Sequence, residues 1–271
     1  MAARKPHSDV PTVASVFERI VCGVDETPAS LEAVGRAARL RAPGGTLHLV
    51  GVVYLAGAAA AGWSSARVAD DLEREAREAL GRAAELAGPD ATNRLVIGPV
   101  EKSILAELER ERATLVAVGT HGRSRPTGIF LGGVATTMLH EASCSVLVAR
   151  PAPEPELFPR TLLVGTDGSP ESLRAAAVAG EIRDRFGASL QAVVATGGKP
   201  VDTDRLAGSG LDLQWDEREP VAALVAASAG ADLLVVGSRG LHGLRALGSV
   251  SERVAHRARC SVLVVRQPPP R

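Results

Sequence analysis

The sequence predicts an α/β protein made of two tandem copies of one parallel-sheet domain. Three observations predict it. The chain repeats itself: residues 116–150 (VAVGTHGRSRPTGIFLGGVATTMLHEASCSVLVAR) match residues 234–266 (LVVGSRGLHGLRALGSVSERVAHRARCSVLVVR), and residues 20–28 (IVCGVDETP) pair with 162–170 (LLVGTDGSP). Within each copy, short apolar runs alternate with longer helix-like stretches, the pattern of parallel strands joined by crossover helices. The apolar runs are almost free of charge, as strands covered on both faces require. Two units do not make a solenoid, so the repeat is a duplicated domain.

In copy one, residues 20–24 read as strand one. Thr27 and Pro28 then open a helix, a hydroxyl N-cap followed by the one residue that needs no N–H. Residues 29–41 continue it with apolar residues at helical spacing, and Pro43, Gly44 and Gly45 stop it. Residues 46–53 form strand two. Residues 66–86 form a long charged helix with Leu72, Ala76, Ala79, Leu80 and Ala83 along one face. Strand three is 94–98, helix three 102–112, strand four 115–118, helix four 133–141 and strand five 145–149.

In copy two, segments 162–166, 170–186, 190–195, 221–229, 233–236 and 261–265 repeat this series with one gap. The offset between copies falls from 142 residues at the Asp to 118 at the first loop Gly and 116 at the Cys. Copy two is therefore 24 residues shorter before its Gly loop and two shorter within it. Residues 197–210 are Gly-rich and too short for the long second helix. Copy two thus lacks most of helix two, and one patch of its sheet should be less well covered. Between the copies, residues 150–160 (RPAPEPELFPR) carry four Pro and predict a semi-rigid, extended linker. The domains are placed at 19–150 and 160–267, with the linker at 151–159.

Composition excludes several classes. Hydrophobic residues at 45% and charged residues at 23% are an ordinary globular balance. Lys+Arg and Asp+Glu number 31 each, for a net charge of +0. A nucleic-acid or anionic-membrane binder carries a basic excess, so neither partner is expected. Cys22, Cys144 and Cys260 are too widely spaced for a disulfide framework or a Cys-rich zinc site, and read as buried apolar residues of a reducing compartment. Residues 1–10 contain no apolar signal region. Residues 49–66 are uncharged, but the second half is Ala, Gly and Ser around Trp63, too weakly apolar to insert in a membrane. A cytoplasmic location is the expectation.

In an open α/β sheet, ligands bind beyond the carboxyl ends of strands, where strand order reverses. Asp25 directly follows strand one, and Asp167 mirrors it. Thr27 and Ser169 already cap the next helices, so the Asp is free for other work. A carboxylate at a strand tip can accept both hydroxyls of a ribose, or bond nearby backbone N–H groups as a turn residue. Gly119, Thr120, His121 and Gly122 are followed, nine residues on, by Gly132 and Gly133 at the start of helix four. Gly lets the backbone approach a ligand. Free N–H groups and the helix dipole over 133–136 form an anion site, to which Arg123 and Arg125 could add charge. A loop that needs only flexibility would read the same. Copy two repeats the pattern as Gly237, Ser238, Arg239 and Gly240, seven residues, then Gly248 and Ser249.

Other reactive types carry less. His121 and His242 lie in the loops with no second ligand beside them. His140 precedes Cys144 by four residues, as His256 precedes Cys260, but no further Cys or His completes a metal site, and structural roles are expected. No G-x-S-x-G, H-E-x-x-H or Walker motif is present, and no G-x-G-x-x-G follows strand one, which disfavours an ordinary NAD domain.

These residues resemble the universal stress protein family, in its tandem form, across both halves. The words HEASCSVLVAR and HRARCSVLVVR look very like bacterial members. The family signature is G-x2-G-x9-G-[ST], after an early strand ending in Asp. Copy one has Gly119, Gly122 and Gly132 at that spacing, with Gly133 replacing the hydroxyl residue. Copy two has Gly237, Gly240, Gly248 and Ser249, with x7 for x9. The resemblance implies two Rossmann-like domains of the adenine-nucleotide alpha-hydrolase type, each an open five-stranded parallel sheet of order 3-2-1-4-5. In the ATP-binding branch, the residue matching Asp25 contacts the ribose, the glycines wrap the phosphates, and a strand-two residue near Val52 lies against the adenine. Val118 and Asp167 complete the candidate set.

The resemblance therefore implies an adenine nucleotide, ATP with Mg2+ alongside, and tighter binding by copy one. It implies a stress-response regulator. No candidate base or acidic metal pair accompanies the loops, so fast catalysis is not expected. A nucleotide-free interaction module is the alternative, and a slow ATPase or phosphotransferase is the third reading. Family members dimerise through strand five. Here the runs Val146, Leu147, Val148 and Val262, Leu263, Val264 are open apolar edges. Antiparallel pairing of the two would hide both and make an internal pseudo-dimer, with a further homodimer left open.

Overall fold

The computed structural model describes residues 16–56, 66–120, 131–151, 154–198, 201–238 and 248–267. The strands are β1 (Arg19–Val24), β2 (Thr46–Val53), β3 (Thr92–Ile97), β4 (Leu115–Gly119), β5 (Ser145–Ala149), β6 (Thr161–Gly165), β7 (Ser189–Ala195), β8 (Leu213–Asp216), β9 (Leu233–Gly237) and β10 (Ser261–Val265). The helices are α1 (Pro28–Leu40), α2 (Ala66–Ala87), α3 (Val100–Arg110), α4 (Gly133–Glu141), α5 (Pro170–Phe186), α6 (Thr203–Ala207), α7 (Pro220–Ala227) and α8 (Ser249–Arg257).

The strands form one sheet of order β3-β2-β1-β4-β5-β10-β9-β6-β7-β8. Each half has the order 3-2-1-4-5 of a tandem Rossmann-like α/β protein, and all pairings within a half are parallel. At the seam β5 and β10 run antiparallel, with Val148 opposite Val262, Leu147 opposite Leu263 and Val146 opposite Val264.

Alternation along the strands splits the buried residues between two faces. Cys22, Leu49, Leu147 and Leu263 join the core beneath α1, α2 and α5. Val21, Val50, Val146 and Val262 join the core beneath α3, α4, α7 and α8. Each core runs through both halves, so the seam is covered on both sides.

The seam exchanges polar groups as well. Arg150, which follows β5, donates to the carbonyls of Ala255 at 2.6 Å and His256 at 3.4 Å, near the end of α8. Arg266, which follows β10, donates to the carbonyls of Leu139 and Ala142 at the end of α4. Each half's last Arg thus caps the other half's last helix, where a cation also complements the helix dipole. The backbone repeats the exchange: Arg150 N–H donates to Ser261 Oγ and Arg266 N–H to Ser145 Oγ, both at 3.1 Å. Burial lowers the Arg150 pKa to about 10, with the guanidinium still charged at neutral pH.

Some expectations need correction. The segment 151–159 is not a plain extended spacer. Pro155–Leu157 form a 3-10 turn and Phe158 is fully buried. The Arg36 guanidinium lies 4.3 Å from the centre of the Phe158 ring and donates to the Pro155 carbonyl at 3.2 Å. The linker is pinned to α1 by a core aromatic. The first core residues, Val16 and Phe17, precede the expected boundary at 19. The third strand of copy two, β8, is four residues long, with Trp215 half exposed. Where domain 1 has the 22-residue α2, domain 2 has the five-residue α6, in which Leu206 is buried.

Candidate functional site

Domain 1 opens a cavity of about 390 Å³ beyond the carboxyl ends of β1, β2 and β4. Leu72, Ala76 and Ala79 of α2 form one wall, and Val100 and Ile104 of α3 another. Val52, Val118, Gly119, Asp25, Thr27 and Ser30 complete much of the lining, with Val134 from α4. The helical spacing that marks Leu72, Ala76, Ala79, Leu80 and Ala83 as one core face is therefore divided. Ala79, Leu80 and Ala83 enter the core, while Leu72, Ala76 and Ala79 border the cavity.

Asp25 has the turn role that the sequence left open. Its Oδ1 accepts the Thr27 N–H at 2.9 Å and the Thr27 hydroxyl. Its own N–H donates to Ser30 Oγ at 2.9 Å. Thr27 Oγ1 in turn accepts the Ser30 N–H at 3.3 Å as the N-cap of α1. One carboxylate oxygen thus fixes the turn, and the residue still borders the cavity.

The start of α4 lacks a side-chain cap. Gly132 is extended, and its N–H donates to the Thr120 carbonyl at 2.7 Å. The first N–H groups of the helix have no intrahelical partner. A Cβ placed on Gly133 would lie 3.3 Å from Oε1 of Glu101, in the first turn of α3. The missing hydroxyl residue and this carboxylate go together: a side chain at 133 would crowd Glu101.

The structure gives Gly119 a cause different from the expected approach of a ligand. A Cβ there would lie 2.6 Å from the Ala29 carbonyl, so the first turn of α1 requires Gly at the end of β4. Gly237 repeats this against the Glu171 carbonyl. Gly132 and Gly133 stand at the helix start rather than on the cavity wall. Gly122 and Gly240, with His121, Arg123, Arg125, Arg239 and His242, lie outside the described residues.

The matching cavity of domain 2 measures about 100 Å³. It is lined by Asp167, Val193, Leu224, Gly237, Gly248 and Ser251 among others, while Ser249 is exposed at the start of α8. Asp167 Oδ1 accepts the Ser169 N–H at 3.0 Å, and its N–H donates to Ser172 Oγ at 3.3 Å. Burial pushes the Asp167 pKa up, but hydrogen bonds centred on Ser169 and Ser172 outweigh it and hold the carboxyl below its ordinary value. Two groups narrow the space. Leu224 presses on the floor, where a Cβ on Gly165 would meet its side chain at 2.8 Å. The connection after β7 folds over the Asp167 turn: the Asp202 N–H donates to the Asp167 carbonyl at 2.9 Å. Gly168, at φ 79°, has the Asp202 carbonyl where its own Cβ would stand.

The cysteines are buried, and burial pushes the Cys144 and Cys260 thiols to about 12. His140 Nε2 lies 3.1 Å from Glu252 Oε1 across the seam, and burial lowers the pKa of His256. Among the described residues, metal-ligand spacing occurs at His48, Glu107 and Glu111 instead. These residues lie on β2 and at the end of α3, too far apart in the chain for a spacing motif to reveal.

A family model, Universal stress protein family, matches residues 17–150 and 211–266. Universal stress protein Rv2005c of Mycobacterium tuberculosis (strain ATCC 25618 / H37Rv) is 35% identical over 198 residues, 60% of this chain. The match spans 65% of that relative's length, just under two thirds. Universal stress protein Rv2623 of the same strain is 29% identical over 299 residues, covering 92% of this chain and 96% of the relative. A universal stress protein from Archaeoglobus fulgidus DSM 4304 superposes with a TM-score of 0.72 at 21% identity, covering 93% of this chain and 99% of the other. PA1789 from Pseudomonas aeruginosa PAO1, a functionally unknown protein, gives 0.66 at 19% identity, covering 93% of each chain. At such identities the structural likeness shows the fold. No described helix is long and apolar enough to cross a membrane.

Proposed function

The chain belongs to the universal stress protein family, and from that premise we propose that its domain 1 cleft binds an adenine nucleotide, ATP, in a stress-response regulator rather than a fast enzyme. The carrying observation is the cleft itself: about 390 Å³, with apolar walls and the Asp25 carboxylate at a strand tip. Small-molecule sites usually measure roughly 300–1,000 Å³, so domain 1 lies in that range and the 100 Å³ space of domain 2 falls below it. Val52, Ala76 and Ala79 would flank the base and Asp25 would take the ribose. The N–H groups opening α4 would face the phosphates. Apart from Asp25, Glu26 and Tyr54, the lining is apolar or hydroxyl-bearing. Such groups bind and orient; they do not move protons.

Glu101 favours a second reading, a nucleotide-free interaction module, because its carboxylate stands where an anion site opens. Mg2+ on the phosphates would offset that charge. Calorimetry with ATP, with and without Mg2+, decides. One site per chain, lost in Asp25→Ala and kept in Asp167→Ala, is expected. Silence from wild type and from Glu101→Gln would establish the nucleotide-free reading instead.

A further inference from the structure

A second polar cluster lies at the opposite end of the domain 1 strands. His48, the third residue of β2, is 6% exposed, and Glu107 of α3 is 5% exposed. With Glu111, just past α3, they offer three ligand atoms within 4.8 Å of one another. A guanidinium nitrogen occupies the point they face: Arg110 Nη2 lies 2.6 Å from Glu107 Oε2, 2.6 Å from Glu111 Oε1 and 3.1 Å from His48 Nε2. The side chain of Arg110 is 45% exposed, so it can swing out into water.

Arginine can only donate, so in the tautomer that accepts from Arg110 the His48 Nε2 carries no proton. In that tautomer Nδ1 bears the hydrogen and donates it to Thr92 Oγ1 at 2.8 Å. A ring nitrogen fixed by one such bond, with the other lone pair directed at carboxylates, is how metal-binding histidines are held. His48 Nε2 and Glu107 Oε2 are 3.4 Å apart. Zinc bonds of about 2.0–2.1 Å at tetrahedral angles separate ligand atoms by roughly 3.3 Å.

We propose that His48, Glu107 and Glu111 form a site for a divalent transition metal of the zinc class, with Arg110 as the built-in cation that the metal displaces. One imidazole and two carboxylates suit a borderline ion better than Ca2+ or Mg2+. Three protein ligands leave one position for water. Arg94 Nη1, 3.2 Å from Glu107 Oε1, holds the second oxygen of that carboxylate and orients it.

The test is titration of the full chain with Zn2+, followed by Co2+ for its four-coordinate absorption bands. Saturable binding of one Zn2+ is expected. Glu111→Gln and His48→Gln should each weaken it by at least about tenfold, and Thr92→Val by roughly tenfold or more, the usual cost of losing an orienting partner. Arg110→Gln should tighten binding by removing the competitor. His140→Gln, outside the cluster, serves as control and should change nothing. Glu111 is partly exposed, so its variant tests the site even if His48→Gln unfolds. The proposal is overturned if neither wild type nor Arg110→Gln shows saturable binding, or if Glu111→Gln binds Zn2+ as wild type does.

Discussion

Domain 1 and domain 2 carry their clefts on the same strands in the same order, yet one holds about 390 Å³ and the other about 100 Å³. Both Asp turns are built alike, and both first-loop glycines admit the first helix of their half. The difference lies in the segment after the second strand. In domain 1 the long α2 stands away from the Asp25 turn as a wall. In domain 2 a short connection returns directly onto the Asp167 turn, and Leu224 presses in from α7. Among the described residues, the 24-residue deletion accounts for the lost space. The two-residue change in the Gly loop falls outside them.

The largest expected effect removes the comparison altogether. Ala76→Trp would fill the domain 1 cleft from its α2 wall, and ATP binding should vanish from calorimetry while the melting temperature stays near wild type. Retained affinity would show that the nucleotide sits elsewhere. Next come Gly119→Ala and Gly237→Ala, which force a Cβ against backbone carbonyls. Each should cost about 1–3 kcal/mol in denaturant unfolding. Gly81→Ala, in α2 with open space around it, should gain about 0.4–1 kcal/mol. Equal effects at all three positions would contradict the packing role. Glu101→Gln should tighten ATP about two- to fivefold, the scale of one charge at a helix N-terminus, and more without Mg2+ than with it.

The smallest effect tests the domain 2 Asp turn by pH. The folded Asp167 carboxyl is held below its ordinary pKa, so its contribution is fully present above the unfolded value near 3.9. It is lost as pH falls through the folded value. Wild type should therefore be more stable than Asp167→Asn at pH 6, with the gap closing below about pH 4. A gap that widens on acidification would reverse the sign.

Much of the fold is legible in the sequence because duplication and apolar alternation report the same elements twice. The four residues of β8 escape because a half-exposed edge strand offers too few alternations to count. Phe158 escapes because a Pro-rich run reads as spacer, and a single aromatic cannot announce that it is buried. At the site, Asp25 is legible from its place after a strand. The role of Ala76 is not, since helical periodicity is the same whether a face meets a core or a cavity. Glu101 and Gly133 meet only in space, as do His48 and Glu111, and no local pattern records such contacts.

The antiparallel seam between β5 and β10 has a consequence for evolution and dosage. In an association of two identical chains, every substitution appears in both clefts at once. Here a peptide connection joins the halves, so one pocket can shrink while its twin stays open. The ratio of wide to narrow pockets is then one to one in every molecule, independent of concentration. Dilution cannot part them, and a ligand for the wide pocket should saturate along a simple hyperbola.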